Sequence, residues 1–323
     1  MLEVRDLDVR FTTRRGVAHA VRGVDLDVGP GEVVGVVGES GSGKSAAMLA
    51  VMGLLAPNAT VTGSVRFEGE ELLGLPTARL RAFRGGRIAM IFQDPMTSLN
   101  PVLTVGRQIG EAISAHRRIA GKEVERRALE LLELVAIPQA KARLRSYPHE
   151  LSGGMRQRVM IAMAVANDPA VLIADEPTTA LDVTIQAQIL EVLGSVRDAT
   201  GLAIVLITHD LGVVAGMADR VHVMYAGRVV ERGGVDEVFH RPDHPYTRRL
   251  LACVPRLDRR DGVVPIGGSP PSVTDLPPGC SFRPRCSDAI DRCAVEDPLL
   301  RPVTATDAAC HVAGRTPAGS VTT

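Results

Sequence analysis

The sequence predicts an α/β fold: a mostly parallel sheet, an N-terminal antiparallel β subdomain, an inserted α-helical subdomain, and a small irregular cysteine-containing C-terminal extension. Three observations predict it. Short apolar runs rich in Val, Ile and Leu recur at 33–37, 87–92, 171–174 and 203–207, each of buried-strand length. Helix-period segments lie between them, and strands that alternate with helices imply a sheet covered on both faces. After Val230 Pro and Gly become frequent, periodicity fades, and four of the five cysteines gather at positions 280–310.

The elements follow in order. Strands are expected at 4–11, 20–28 and 32–37, with turns at Arg15-Gly16 and Gly29-Pro30-Gly31. An apolar helix covers 46–55 and stops near Pro57, and a further strand and turn cover 61–69. Residues 104–146 turn helical; within them 124–135 (VERRALELLELV) spaces its leucines at helical intervals with charges opposite. A second helix at 155–166 ends at Asn167-Asp168-Pro169, and strands and helices then alternate to about 230. The expected domains are therefore 1–235, with the helical subdomain inserted over about 96–166, and a separate extension over 236–323 whose last dozen residues read as disordered.

Composition excludes several functions. A chain of 323 residues, 45% hydrophobic, can bury a full core. Its formal net charge is zero, with 37 basic and 37 acidic residues, and it has no Trp, so no nucleic-acid partner is expected. The start, Met1-Leu2-Glu3-Val4-Arg5-Asp6, lacks a signal peptide's apolar stretch, and the longest apolar runs fall far short of the roughly 20 residues a span needs. A cytoplasmic chain that meets a membrane only through a partner is the expectation.

Two motifs carry chemistry. Gly38-Glu39-Ser40-Gly41-Ser42-Gly43-Lys44-Ser45, followed by Ala46, matches G-x4-G-K-[ST] between a buried strand and a helix, the context that pattern requires. Glycines let backbone N–H groups turn around phosphate oxygens, and the helix adds its positive end. Lys44 supplies a point charge to the β- and γ-phosphates of a nucleotide, and Ser45 a hydroxyl for Mg²⁺. The second motif, Val171-Leu172-Ile173-Ala174-Asp175-Glu176, is an apolar strand ending in paired acids. Asp175 at the strand tip can hold Mg²⁺, and Glu176 can polarise the water that attacks the γ-phosphate. Alone, such a strand end reads as solvated; downstream of a phosphate loop it reads as catalytic.

Leu151-Ser152-Gly153-Gly154-Met155-Arg156-Gln157-Arg158 resembles the signature motif of ATP-binding cassette ATPases. Ser152 reads as the cap of a helix whose tip points at an anion. The resemblance implies further roles in order. Gln93 matches the glutamine that touches Mg²⁺ and senses a membrane subunit. Residues Thr178 to Asp182 match the D-loop, and His209 matches the switch histidine. Phe11 is the candidate for stacking on adenine, with His19 as the alternative. The family pattern also implies that Ser152, Gly153, Gly154 and Asp182 complete the site of a second cassette, a paralogue or a copy of this chain.

Three stretches, 92–101 (FQDPMTSLNP), 146–150 (SYPHE) and 244–251 (HPYTRRLL), resemble the dipeptide/oligopeptide and nickel importer subgroup, as does 279–286 (GCSFRPRC). That likeness implies a motor for peptide import at the cytoplasmic membrane face. Its partners would be two permease subunits, docked near Gln93 and the loop 95–101, and indirectly an extracytoplasmic solute-binding protein. Nickel or another small solute is the alternative cargo, and a cassette ATPase acting on DNA or ribosomes is the alternative class. Cys280, Cys286, Cys293 and Cys310 follow C-x5-C-x6-C-x16-C in a Pro-rich segment with too little periodicity for a core of its own. Four thiolates suit a structural [4Fe–4S] cluster or Zn²⁺, and related extensions of the subgroup favour the cluster; reduced unliganded thiols are the third reading, and Cys253 reads as simply buried.

Overall fold

The structure, a computed structural model, describes residues 1–14, 16–93, 98–179, 181–253 and 266–314. Expectations placed on Arg15, on 94–97 in the loop before Pro101, on Ala180 and on the tail from 315 lie outside these residues.

Among the described residues two sheets form. The smaller has the order β2-β1-β4-β5 and is antiparallel. Its strands are β1 (Leu2–Thr13), β2 (Gly16–Val28), β4 (Ala59–Phe67) and β5 (Glu70–Glu71). The larger has the order β11-β12-β10-β9-β3-β8-β7-β6. Its parallel centre is β3 (Val33–Val37), β6 (Ile88–Ile91), β7 (Val171–Asp175), β8 (Ala203–Thr208) and β9 (Arg220–Tyr225). An antiparallel flank adds β10 (Arg228–Gly234), β11 (Arg301–Pro302) and β12 (Asp307–Ala308).

The central parallel strands are mostly apolar, β3 and β6 entirely so, because both faces are covered. In β3 Val34 and Val36 enter one core, under the antiparallel sheet and helix Lys44–Val51, while Val33 and Val37 enter the other. In β7 Val171 and Ile173 take the first side, and Leu172 and Ala174 the second. That period of two is the pleat itself.

The helical insert is Val105–Ser114, Gly121–Leu134 and Ala140–Arg143, broken into three where the sequence suggests one block. Val105, Ile109 and Ile113 fall on one face at intervals of four and meet Ala128, Leu131 and Leu132. Each Val, Ile or Leu side chain so buried contributes about 1.5–3 kcal/mol. Helix Gly153–Ala164 leads back to β7, and Asn167 ties the insert down by donating to the Ala112 carbonyl at 2.9 Å.

The extension does not stand apart. Its β12 pairs with β10, placing Ala308 opposite Glu231 and Asp307 opposite Arg232. Phe282, 2% exposed, packs edge-on to Tyr225 with ring centroids 5.3 Å apart. Helix Pro245–Ala252, which periodicity did not reveal, adds Tyr246 to the same group at 4.7 Å from Tyr225. The segment lacks a core of its own because it completes that of the cassette.

Candidate functional site

The loop that leaves β3 is shaped by backbone contact. Gly38 has φ +152° and Gly43 φ +102°. A Cβ at Gly38 would stand 2.2 Å from the Met224 carbonyl oxygen, and one at Gly43 2.4 Å from that of Ala20. Neither backbone can yield as a side chain could, so only glycine closes the turn. Lys44 then spans the loop, its Nζ donating to the carbonyls of Gly38 at 2.7 Å and Glu39 at 3.1 Å. Burial lowers the Lys44 pKa from its usual value, with Glu176, Asp175 and Glu39 opposing the shift. An arriving polyanion would stabilise the charged form.

Asp175 ends β7 and is 4% exposed. Ser45 Oγ donates to its Oδ1 at 2.9 Å. Burial raises the Asp175 carboxyl above its ordinary pKa. The half-buried Ser45 hydroxyl and the buried Asp175 carboxylate, with the Gln93 amide nearby through Glu176, form the hard-oxygen donor set that Mg²⁺ takes. That chemistry fits the ion.

Glu176 lies in the left-handed region at φ +48°, a conformation costing of order 1 kcal/mol in a non-glycine residue. Its N–H donates to the Ile207 carbonyl at 2.9 Å, which fixes the turn on β8. Its Oε2 accepts from Gln93 Nε2 at 2.9 Å and from Thr179 Oγ1 at 2.8 Å. Its Oε1 lies 3.6 Å from His209 Nδ1. The carboxyl ends of β6, β7 and β8 thus bring Gln93, Glu176 and His209 to one point.

Sequence reasoning missed the ties behind these residues. Asp210 caps helix Leu211–Met217 through the Gly212 N–H at 2.8 Å, while its Oδ2 accepts from Gln186 Nε2 at 3.0 Å. Gln186 belongs to helix Val183–Thr200, whose cap is Asp182, accepting the Ile185 N–H at 2.9 Å. The segment after His209 is therefore bonded to the helix after Asp182. A cap is legible in sequence; the partner across 24 positions is not.

Ser152 caps helix Gly153–Ala164 by accepting the Met155 N–H at 3.3 Å. Gly154 has an internal reason to be glycine: an added Cβ would lie 2.6 Å from Ile185 Cγ2. None of the described hydrogen bonds joins 152–154 to the loop 38–45. Phe11 lies in β1, half-buried, opposite Ala18 and Ala59. His19 is held by Asp8, Nε2 to Oδ2 2.5 Å.

The cysteines lie near one another. Cys280 N–H donates to the Cys293 carbonyl at 2.9 Å. Burial, with repulsion from Cys280, Cys286 and Cys293, pushes the Cys310 thiol up to about 11. Yet among the described residues no group of three or more His, Cys, Asp or Glu side chains is placed to hold a metal ion. As they stand, the four thiols are neighbours rather than a ligand set.

Sheet order, glycine loop and strand-end carboxylates together define a P-loop nucleotide-binding fold. A family profile described as ABC transporter matches residues 21–179, and one described as the C-terminal region of oligopeptide/dipeptide transporters matches 230–293. The chain is 58% identical over 315 residues to the oligopeptide transport ATP-binding protein OppD of Mycobacterium tuberculosis, covering 96% of this chain and 51% of the relative. It is 51% identical to the dipeptide transport ATP-binding protein DppD of Bacillus subtilis, covering 91% of this chain and 88% of that one. It spans about half the length of the mycobacterial relatives that it matches. Among solved structures, the ATP-binding cassette MJ0796, a dimer bound to ADP and Pi in a post-hydrolysis state, superposes with TM-score 0.65 at 29% identity, covering 73% of this chain and 99% of that one. The chain belongs to the ABC transporter family of ATP-binding proteins, in its oligopeptide/dipeptide group. No described helix is long and apolar enough to cross a membrane.

Proposed function

We propose that this chain is the ATP-hydrolysing subunit of a peptide importer. It works at the cytoplasmic face of the membrane with a second cassette and two permease subunits, supplied by an extracytoplasmic solute-binding protein. The observation that carries the ATPase reading is the convergence of Gln93, Thr179 and His209 on Glu176, one position beyond Asp175. The names of the relatives and the matched C-terminal region support peptides as cargo.

The residues divide the work. Backbone N–H groups of 38–46 and the Lys44 ammonium hold the phosphates. Ser45, Asp175 and Gln93 would hold Mg²⁺, which supplies charge neutralisation at the phosphates. Glu176 accepts a proton from the attacking water as the γ-phosphoryl group leaves ADP. His209 and Gln93 hold that carboxylate in place. Phe11 stacks on adenine. Ser152, Gly153, Gly154 and Asp182 act on nucleotide held by the other cassette, which makes dimerisation part of the chemistry.

For Cys280, Cys286, Cys293 and Cys310 we propose a structural [4Fe–4S] cluster, with Zn²⁺ as the alternative. Their spacing and mutual nearness support it, and the thiols would have to shift to become ligands. Co-purification with permeases encoded beside this chain, followed by ATPase assays with and without peptide, tests the whole reading. Peptide-stimulated hydrolysis is expected. Hydrolysis stimulated by nickel and not by peptide would reassign the cargo, and no hydrolysis would reject the motor.

A further inference from the structure

Glu39 is the second residue of the phosphate loop, and two residues from beyond β10 hold it. Arg285 Nη1 donates to Glu39 Oε2 at 2.6 Å and Nη2 to Oε1 at 2.9 Å, a bidentate pair. The Glu39 N–H donates to Tyr246 Oη at 3.0 Å. The Arg285 side chain is 4% exposed, and its fork is otherwise filled: Nε donates to the Gly267 carbonyl at 2.9 Å, and Nη1 also to Tyr225 Oη at 3.4 Å. A buried guanidinium satisfied on every side is rigid, so the carboxylate it grips is fixed as well.

The pairing has a consequence for charge. A carboxylate inside a loop that receives a polyphosphate repels it, and Lys44 is already bonded to the carbonyl of that same Glu39. We propose that Arg285 is a positioning residue of the phosphate loop: it neutralises and pins Glu39, so that tight nucleotide binding requires the C-terminal extension docked on the cassette. The inference rests on the reading that 38–45 holds phosphate. It gives the extension a task at the ATP site, through an ion pair that is formed with the cysteines in their present arrangement.

The test is calorimetric titration of Mg-ATP into the full chain. Arg285→Gln leaves the Glu39 charge uncompensated and should raise Kd roughly tenfold, the size of one charge-assisted bond. Adding Glu39→Gln to Arg285→Gln removes the repulsion and should bring Kd back to within about threefold of wild type. A purely structural Arg285 would show no such rescue. Should Arg285→Gln not fold, Glu39→Asp, on the loop and outside the extension's packing, withdraws the carboxylate from Arg285 and should weaken binding in the same direction. Unchanged affinity in Arg285→Gln, a double variant no better than the single, or unchanged affinity in Glu39→Asp would each overturn the inference. Wild-type protein that does not bind Mg-ATP would instead overturn the functional reading, and this inference with it.

Discussion

Gln93 Nε2 donates to Glu176 Oε2 at 2.9 Å, joining the end of β6 to the turn after β7 across 83 positions. The bond links the residue expected to sense the membrane partner to the residue expected to activate water. Movement of the segment after β6 would therefore move the carboxylate.

Glu176→Gln keeps the size of the side chain and its contact with Thr179 but removes the base. The variant should bind Mg-ATP and lose about 10²–10⁴-fold in turnover, the usual worth of general-base catalysis. Steady-state ATPase assays beside nucleotide titration separate the two effects. Hydrolysis close to wild type would reject the role.

Ser152→Arg places a long cation at the tip of helix Gly153–Ala164 and removes its cap, at a stability cost of about 1 kcal/mol. Mg-ATP binding by the isolated subunit should survive, because Ser152 makes no described bond to the loop 38–45. ATP-dependent dimers, followed by light scattering with Glu176→Gln present, should not form. Dimers at the wild-type level would contradict a site completed by the second cassette.

Gly38→Ala forces a Cβ to within 2.2 Å of the Met224 carbonyl at a φ of +152°. The strain should cost of order 1–3 kcal/mol and displace the loop, so thermal unfolding and Mg-ATP affinity should both fall. Gly41→Ala, where a Cβ meets nothing within 4 Å, is the milder control for space. Equal effects from the two would show that the contact with Met224 is immaterial.

His222 in β9 is buried with both ring nitrogens lacking a partner among the described residues, and burial lowers its pKa to about 3, with Arg232 and Arg220 adding to the shift and Glu32 opposing it. Unfolded, the ring titrates near its ordinary 6.5. Below that pH the unfolded chain takes up a proton the folded one refuses, so stability falls as pH drops from about 6.5 towards about 3. His222→Leu should flatten the pH dependence of denaturant unfolding by up to about 1.4 kcal/mol per pH unit in that window. His244, also lowered to about 3, leaves a residual slope. An unchanged slope would show that His222 titrates normally.

Protein purified without oxygen should carry about four irons per chain with broad absorbance near ~400 nm if the cysteines hold a cluster. One zinc in a colourless sample would substitute the other metal. Folded, metal-free protein would sink both.

Local signals suffice for the strand–loop–helix of 33–51, the acidic end of β7, the capped helix after Ser152 and helix Leu211–Met217, because each depends on neighbours within a few positions. Apolar runs make buried strands, Gly and Ser cap or turn, and those signals are local. Helix Lys44–Val51 begins two residues before the expected one because Gly43 turns the chain through positive φ immediately ahead of it. The long-range contacts exist only in the folded chain. Gln93 meets Glu176, Gln186 meets Asp210 and Arg285 meets Glu39 only after the sheet has ordered its strands, since a hydrogen bond across 24 to 246 positions leaves no periodic trace. The extension is the plainest case. It reads as irregular because its apolar residues, Phe282 among them, are spaced to fill the cassette's core rather than one of their own.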